Sequence, residues 1–220
     1  MKKTLGALIF SGCLISVNVF AGNMSSASKW TSPRFFAGAA GGYTNISGAH
    51  EQQGQTPQGR FTLGVKGKVD KLWLLGGELG IQSGNSMLLE VDEAVLSSTL
   101  FIPPQADLKP LIDALFSVQF QFTPTSPVSL QVKGGIAFRE MQLNNITATS
   151  GTQLFTVAGE FQGGVGVKLV ENVQLNAYYQ GIYSNSNAGV YRDSENNTPM
   201  SYIPTQQGGF LGIEYFFDVV

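Results

Sequence analysis

The residues of this 220-residue chain that could perform nucleophilic or acid–base chemistry are few. His50 is its only histidine, and Glu51 follows directly. Asp92, Ser97 and Ser98 lie further along and could complete a set in which the histidine removes a proton from a serine hydroxyl. Such a set needs hydrogen-bond distances that no motif in this sequence fixes. We therefore expect a solvated loop histidine and no catalytic residues.

Other kinds of chemical site have equally little support in the sequence. Cysteine and histidine show no metal-ligand spacing, and no glycine-rich loop with a following helix is present to hold phosphate. The net charge is −2, and the basic residues form no cluster that would bind nucleic acid. We expect no metal, no cofactor and no nucleic-acid partner.

The start of the chain predicts export. Residues 1–3 are Met-Lys-Lys, and an apolar stretch follows that closes at Ala21. This pattern is typical of a signal peptide, residues 1–21, cleaved after Ala21. A membrane anchor helix is the weaker interpretation, because Asn18 interrupts a run that is short for a span. The only cysteine, Cys13, lies inside this stretch, and its lipidation is an alternative.

The composition favours a membrane barrel over a soluble one. Only 13% of residues are charged, whereas 11% are aromatic and 27 are glycine. The segment FQGGVGVKLVENVQLNAYY, residues 161–179, alternates polar and apolar positions on both sides of a turn at 171–172, which predicts a β-hairpin. A soluble barrel would turn Gln174 to water, and a membrane barrel would turn Leu175 to lipid. The low charge fraction favours lipid, since a soluble domain normally carries about twice as many charges.

The same alternation occurs eight times, an even number as closed bacterial barrels require. The predicted strands are 34–45, 58–69, 71–84, 111–122, 127–142, 154–170, 173–184 and 207–219. Short connections (70–71, 123–127, 171–172) alternate with long ones (46–57, 85–110, 143–153, 185–206). This asymmetry places the short turns in the periplasm. We predict an all-β fold, an eight-stranded antiparallel up-and-down transmembrane β-barrel over 34–220, preceded by a short periplasmic segment, 22–33.

Charged residues recur on the strand face that would point into this barrel. An eight-stranded barrel is only wide enough for its own side chains, so charges inside must pair or meet trapped water. The predicted lumen charge network consists of Arg60, Lys66, Glu78, Lys133, Arg139, Glu160, Lys168 and Glu214. Lys68 and Asp113 lie on the same face.

The last strand carries a resemblance to a known family. FLGIEYFF, residues 210–217, resembles the C-terminal signal that the barrel-assembly machinery recognises, with Gly212, Tyr215 and Phe217 at the matching positions. Phe210 departs from the polar residue usual at the first position, and the chain ends in DVV. With its eight predicted strands, the whole resembles the OmpA/OmpX-type outer-membrane family. The resemblance implies location in the bacterial outer membrane, contact with its lipid and lipopolysaccharide, and function carried by the loops.

The second long loop, 85–110, is unusually apolar and contains Met87, Leu88, Leu89, Leu100, Phe101 and Ile102. These residues either extend strands three and four, form a short helix over the barrel, or bind a partner. We expect a surface barrel that serves envelope integrity or adhesion to a host or surface ligand. A small channel for ions or hydrophobic solutes is the alternative. A lipid A-modifying enzyme, an activity found in some eight-stranded barrels, is less favoured.

Overall fold

The computed structural model describes residues 31–47, 55–88, 105–144, 152–184 and 203–217, and within these ranges it is built from β-strands. The strands are β1 (Thr31–Ile46), β2 (Gln55–Lys68), β3 (Trp73–Gln82), β4 (Asn85–Leu88), β5 (Gln105–Leu108), β6 (Leu111–Gln121), β7 (Val128–Asn144), β8 (Thr152–Val170), β9 (Val173–Ser184) and β10 (Gln206–Phe216). In the described ranges, no helix is both long and apolar enough to cross a membrane.

The strands form one closed antiparallel wall. Around the wall the order is β1, β2, β3, β6, β7, β8, β9 and β10; β10 pairs with β1, and the β7–β8 pairing completes the ring. The short strands β4 and β5 continue β3 and β6 in one register, since Gln82 lies opposite Leu111 and Asn85 opposite Leu108. The ten segments are therefore eight barrel strands, two of them interrupted, and the predicted fold class is confirmed.

The two interruptions lie side by side, at Ser83–Gly84 and Lys109–Pro110. Leu108 and Leu111 are three residues apart, yet both are buried, so one extra residue interrupts the alternation of inward and outward side chains here. A regular strand would turn two such residues to opposite faces. A Cβ atom at Gly84 would overlap the carbonyl oxygen of Leu108, which explains the glycine at this close approach. Above this level the wall continues as the β4–β5 hairpin, beside β7.

The apolar face of the wall points outward. Leu175 is 44% exposed, whereas its neighbour Gln174 is 6% exposed. Outward aromatic residues are concentrated at two levels, as in the girdles of outer-membrane barrels, with Phe61, Phe116 and Phe161 between them. The level near the short turns contains Phe35, Trp73, Phe122, Tyr215 and Phe217, and the level near the long connections contains Tyr43, Phe155, Tyr179 and Tyr183. The membrane-barrel interpretation of the alternating pattern is thus confirmed.

The connections follow the predicted asymmetry. At one rim, short turns join β2 to β3, β6 to β7 and β8 to β9, at 69–72, 122–127 and 171–172. The long connections meet the opposite rim, and most of their residues lie outside the described ranges. The first strand begins at Thr31, three residues before its predicted start.

Candidate functional site

The barrel interior is organised around Arg60 of β2. Its guanidinium donates two hydrogen bonds to Asp113 of β6, from Nη1 to Oδ2 at 2.6 Å and from Nη2 to Oδ1 at 2.7 Å. Nη1 also lies 3.1 Å from Glu160 Oε1, and Nη2 lies 3.1 Å from Glu78 Oε1. All four side chains are 0% exposed. The two-pronged contact with Asp113 is the strongest geometry available to an arginine and a carboxylate.

Two lysines extend these ion pairs toward the short-turn rim. Lys133 Nζ lies 2.7 Å from Glu78 Oε2 and 3.6 Å from Glu214 Oε1. Lys66 Nζ donates to Glu214 Oε2 at 2.6 Å. The Lys66 ammonium also lies 4.6 Å from the centre of the Phe36 ring, close enough for cation–π attraction. Charges of opposite sign therefore alternate along the lumen from Lys66 to Arg60.

Eight charged residues are buried within the described ranges, and we call them the lumen network: Arg60, Lys66, Glu78, Asp113, Lys133, Arg139, Glu160 and Glu214. It contains as many cations as carboxylates, so its formal charges cancel. Balance is needed here because an unpaired charge enclosed by protein and lipid loses its hydration without compensation.

A layer of glutamines covers the lumen network on the side of the long connections. The amides of Gln162 and Gln180 each donate to Glu160 Oε1 at 2.7 Å. Gln180 also donates to Gln82 Oε1 at 3.0 Å, and Gln82 in turn donates to Gln58. These uncharged amides connect β2, β3, β8 and β9 across the lumen.

Arg139 of β7 holds the segment that enters β10. Its Nη1 donates to the carbonyl oxygen of Pro204 at 2.6 Å, and its Nη2 donates to Gln206 Oε1 at 3.3 Å. Gln206 donates to Gln58 at 3.0 Å, which joins Arg139 to the glutamine layer. Ile203 is 1% exposed. The chain at 203–206 thus lies against the inside of the wall at the long-connection end.

Apolar groups fill the space between the polar ones. The rings of Tyr178 and Phe210 stack inside the lumen, with centroids 5.4 Å apart and an interplanar angle of 8°. Phe36 and Phe216 pack together lower down, 5.7 Å apart. None of these aromatic residues is among those predicted for the interior from the sequence. Both Phe210 and Phe216 occupy inward positions of β10 by simple alternation with Leu211 and Phe217, so the pattern could have identified them.

A small cavity remains beside Arg60, lined in part by Lys133, Tyr178 and Glu214. Its volume is about 10 Å³, which is room for about one water molecule. The interior is therefore packed at this level, and a space of this size cannot pass a hydrated ion.

Most of the residues predicted for the lumen charge network lie inside the barrel. Six of them join in ion pairs: Arg60, Lys66, Glu78, Lys133, Glu160 and Glu214. Arg139 is buried and makes its hydrogen bonds to neutral acceptors. The placement of Lys168 inside is wrong, because its side chain is exposed beside the β8–β9 turn. The register of these strands shifts between Lys168 and Val170, which ends the regular alternation. Lys68 is exposed at the same rim.

The residues resembling an assembly signal lie on β10. Tyr215 and Phe217 point outward, 48% and 46% exposed. Gly212 lies against β1, where an added Cβ would meet the Cβ of Ala40 at 2.7 Å.

The other predicted sites lie largely outside the described ranges. Met87 and Leu88 lie on β4, so the start of the apolar loop extends strand three, and β5 extends strand four. The remaining residues of the predicted sites lie outside the described ranges. They are Leu89, Leu100, Phe101 and Ile102 of the apolar loop, the candidates His50, Glu51, Asp92, Ser97 and Ser98, and Cys13 with the signal peptide. Within the described ranges, His, Cys, Asp and Glu form no group of three that could hold a metal ion.

A closed wall of eight antiparallel strands, with an apolar outward face and a filled polar interior, defines a transmembrane β-barrel. Solved structures with this fold include one from Yersinia pestis and one from Thermus thermophilus. Ail, the attachment invasion locus protein of Yersinia pestis, is 12% identical with a TM-score of 0.50, covering 84% of this chain and 97% of its own. A major outer membrane protein from Thermus thermophilus is 12% identical with a TM-score of 0.52, covering 85% of this chain and 100% of its own. No family model and no curated protein sequence matches the chain. The chain thus has the fold of OmpA/OmpX-type outer-membrane barrels.

Proposed function

We propose that this protein is a non-conducting surface barrel of the bacterial outer membrane, which serves envelope integrity or adhesion through its long extracellular connections. The packed lumen is the observation that carries the proposal. Arg60, Lys133 and the carboxylates around them cross the interior in contact with one another, and the glutamine layer covers them. A lumen built in this way supports the wall mechanically and leaves interaction to the loops.

The partners follow from the same arrangement. The outward apolar face and its two aromatic levels fit outer-membrane lipid and lipopolysaccharide. Tyr215 and Phe217, outward on the last strand, fit a role as a signal to the barrel-assembly machinery. A host or surface ligand would meet the long connections, among which 85–110 is the most apolar.

Two other functions are less well supported. A channel for ions or hydrophobic solutes would need a path past the lumen network, whose paired charges would have to separate. A lipid A-modifying enzyme would need a nucleophile and base in contact, and its candidates, His50 with Ser97 or Ser98, have no spacing that brings them together.

Planar-bilayer recording of the refolded protein tests the proposal. We expect no stepwise current above that of the bare bilayer. A matched variant, Glu78→Ala with Lys133→Ala, removes the Glu78–Lys133 ion pair together with the contacts to Arg60 and Glu214, and it leaves the formal charge of the lumen network balanced. Steady unitary currents from the wild type that increase in this variant would establish a lumen channel and overturn the proposal. Mass spectrometry of lipid A from cells carrying the protein tests the alternative of a lipid A-modifying enzyme. We expect an unchanged lipid A, and a new acylation state would contradict the proposed surface barrel.

A further inference from the structure

The barrel wall parts at the long-connection rim between β2 and β4. The β2–β3 ladder runs up to the pair Arg60–Gln82. Above it, β2 continues to Gln55 but pairs only with β1 among the described strands. On the other side β4 pairs with β5 and does not run alongside β2. We call the gap between Gln55–Gln58 and Asn85–Leu88 the seam.

Pro57 explains why the ladder stops. The backbone of Gly59 faces β3, because its carbonyl accepts from Ser83 N at 2.9 Å and its own N–H donates to Ser83 Oγ at 3.1 Å. Alternate residues of a strand direct their backbone groups to the same side. Pro57 therefore directs its nitrogen toward β4, and this nitrogen carries no hydrogen. The first hydrogen bond that would close the seam cannot form.

The seam lies at the level of the lipid headgroups. Pro57 is directly opposite Tyr43, an outward residue of the upper aromatic level. Below that level, between the two girdles, the ladder from Gly59 downward is closed, as the hydrocarbon core demands. At its lower end the seam is closed on the inner side, because Gln58 and Gln82 are buried and hydrogen-bonded to each other. The opening above them faces the outer leaflet.

The chemistry of the seam fits an uncharged group that both donates and accepts hydrogen bonds. Among the described strands, the facing edges of β2 and β4 have no ladder partner, and such an edge presents backbone N–H and C=O groups, of which Pro57 contributes only its C=O. The exposed side chains beside it, Gln55, Ser83 and Ser86, carry no charge. One strand further, Asp107 and Lys109 carry opposite charges, so the described residues around the seam give phosphate no net attraction.

The outer surface below the seam has room for a ring. Gly41 and Gly59 face each other across β1 and β2. A Cβ atom at either position would have nothing within 4 Å. The wall is thus bare beside Tyr43, and aromatic rings are favourable surfaces for the apolar faces of flat groups.

We propose that the seam binds the sugar headgroup of an outer-leaflet glycolipid, with the sugar hydroxyls bonded to the free edges of β2 and β4. The lipid chains then lie on the outward apolar band, so the site continues the lipid-facing surface of the barrel. The seam could instead hold only water or another part of the chain, and the test below separates these occupants from the sugar.

Hydrogen exchange on the full-length protein in lipid nanodiscs tests this proposal. One nanodisc contains digalactosyl diacylglycerol, a neutral sugar lipid, and the other contains only phosphatidylglycerol. The amides of β4 that point away from β5 are expected to exchange about tenfold more slowly with the sugar lipid, the effect of one net hydrogen bond. Pro57→Thr restores the N–H and lets the ladder extend, so these amides become slow in both lipids. Pro127→Thr, an exposed proline at the opposite rim, is the matched control and keeps the wild-type difference.

Equal, fast exchange of the wild-type amides in both lipids would show water alone and overturn the sugar site. Equal, slow exchange in both would show that another part of the chain closes the seam, and it would overturn the proposal as well. If Pro57→Thr fails to refold, the comparison of the two lipids with the wild type still decides. None of these outcomes bears on ion conduction, so the proposed function is tested separately.

Discussion

Replacing Arg60 by methionine should destabilise the barrel more than any other single change in the lumen. Methionine fills similar space but removes the only described cation in contact with Asp113, together with the contact to Glu160. Glu78 keeps Lys133, so the change leaves two fully buried carboxylates without an ion pair. Breaking one buried pair costs about 3–5 kcal/mol. The cavity beside Arg60 has room for about one water molecule, so hydration compensates little, and we expect the upper end of that range.

Urea unfolding of the protein in bilayers, followed by tryptophan fluorescence, measures this cost. Lys68→Met is the control, because Lys68 is an exposed cation on the same strand, and we expect a change within about 0.5 kcal/mol. The double variant Arg60→Met with Asp113→Asn removes one stranded charge and should be more stable than Arg60→Met alone. An Arg60→Met barrel within about 1 kcal/mol of the wild type would refute the idea that paired charges stabilise the lumen.

Two further outcomes are expected. A fluorophore on cysteine at Leu175 should be quenched by lipid-borne quenchers and one at Gln174 should not; the reverse pattern would place the polar face outward. Gly80→Ala should lower the free energy of unfolding, because its Cβ would lie 2.6 Å from Arg60 Nη2, whereas Gly41→Ala, with open space outside, should be neutral or stabilising by up to about 1 kcal/mol. Equal effects of the two alanines in urea unfolding would contradict the packing around Arg60.

The sequence was sufficient to predict the wall because a barrel strand has a period of two. Leu175 and Gln174 differ in type, so the alternation shows which face each residue occupies. Eight alternating segments implied closure, and the connection lengths predicted one rim with short turns and one with long connections. The strands end within a few residues of their predicted ends, with the largest difference at the start of strand four, where β5 begins at Gln105.

The contents of the lumen were harder to predict than its existence. Alternation shows that Arg60 and Glu160 point inward, but not that they meet, because the contact depends on the stagger between β2 and β8 across the barrel. Alternation also fails at strand ends, where the chain leaves the regular ladder, and Lys168 was misplaced for this reason. The two interruptions at 83–84 and 109–110 carry a sequence signal, because Gly84 and Pro110 are residue types that mark breaks in regular structure. The alternation of polar and apolar residues alone does not reveal this signal.

These paired interruptions have an evolutionary consequence. Because both strands are interrupted at the same height, the β4–β5 hairpin above the break keeps the register of β3 against β6 below it. Residues added, lost or exchanged between Leu88 and Gln105 would change the length of this connection without changing the strand register beneath it. Lineages under pressure to change their exposed surface could therefore diversify this hairpin rapidly while the buried charges around Arg60 stay unchanged.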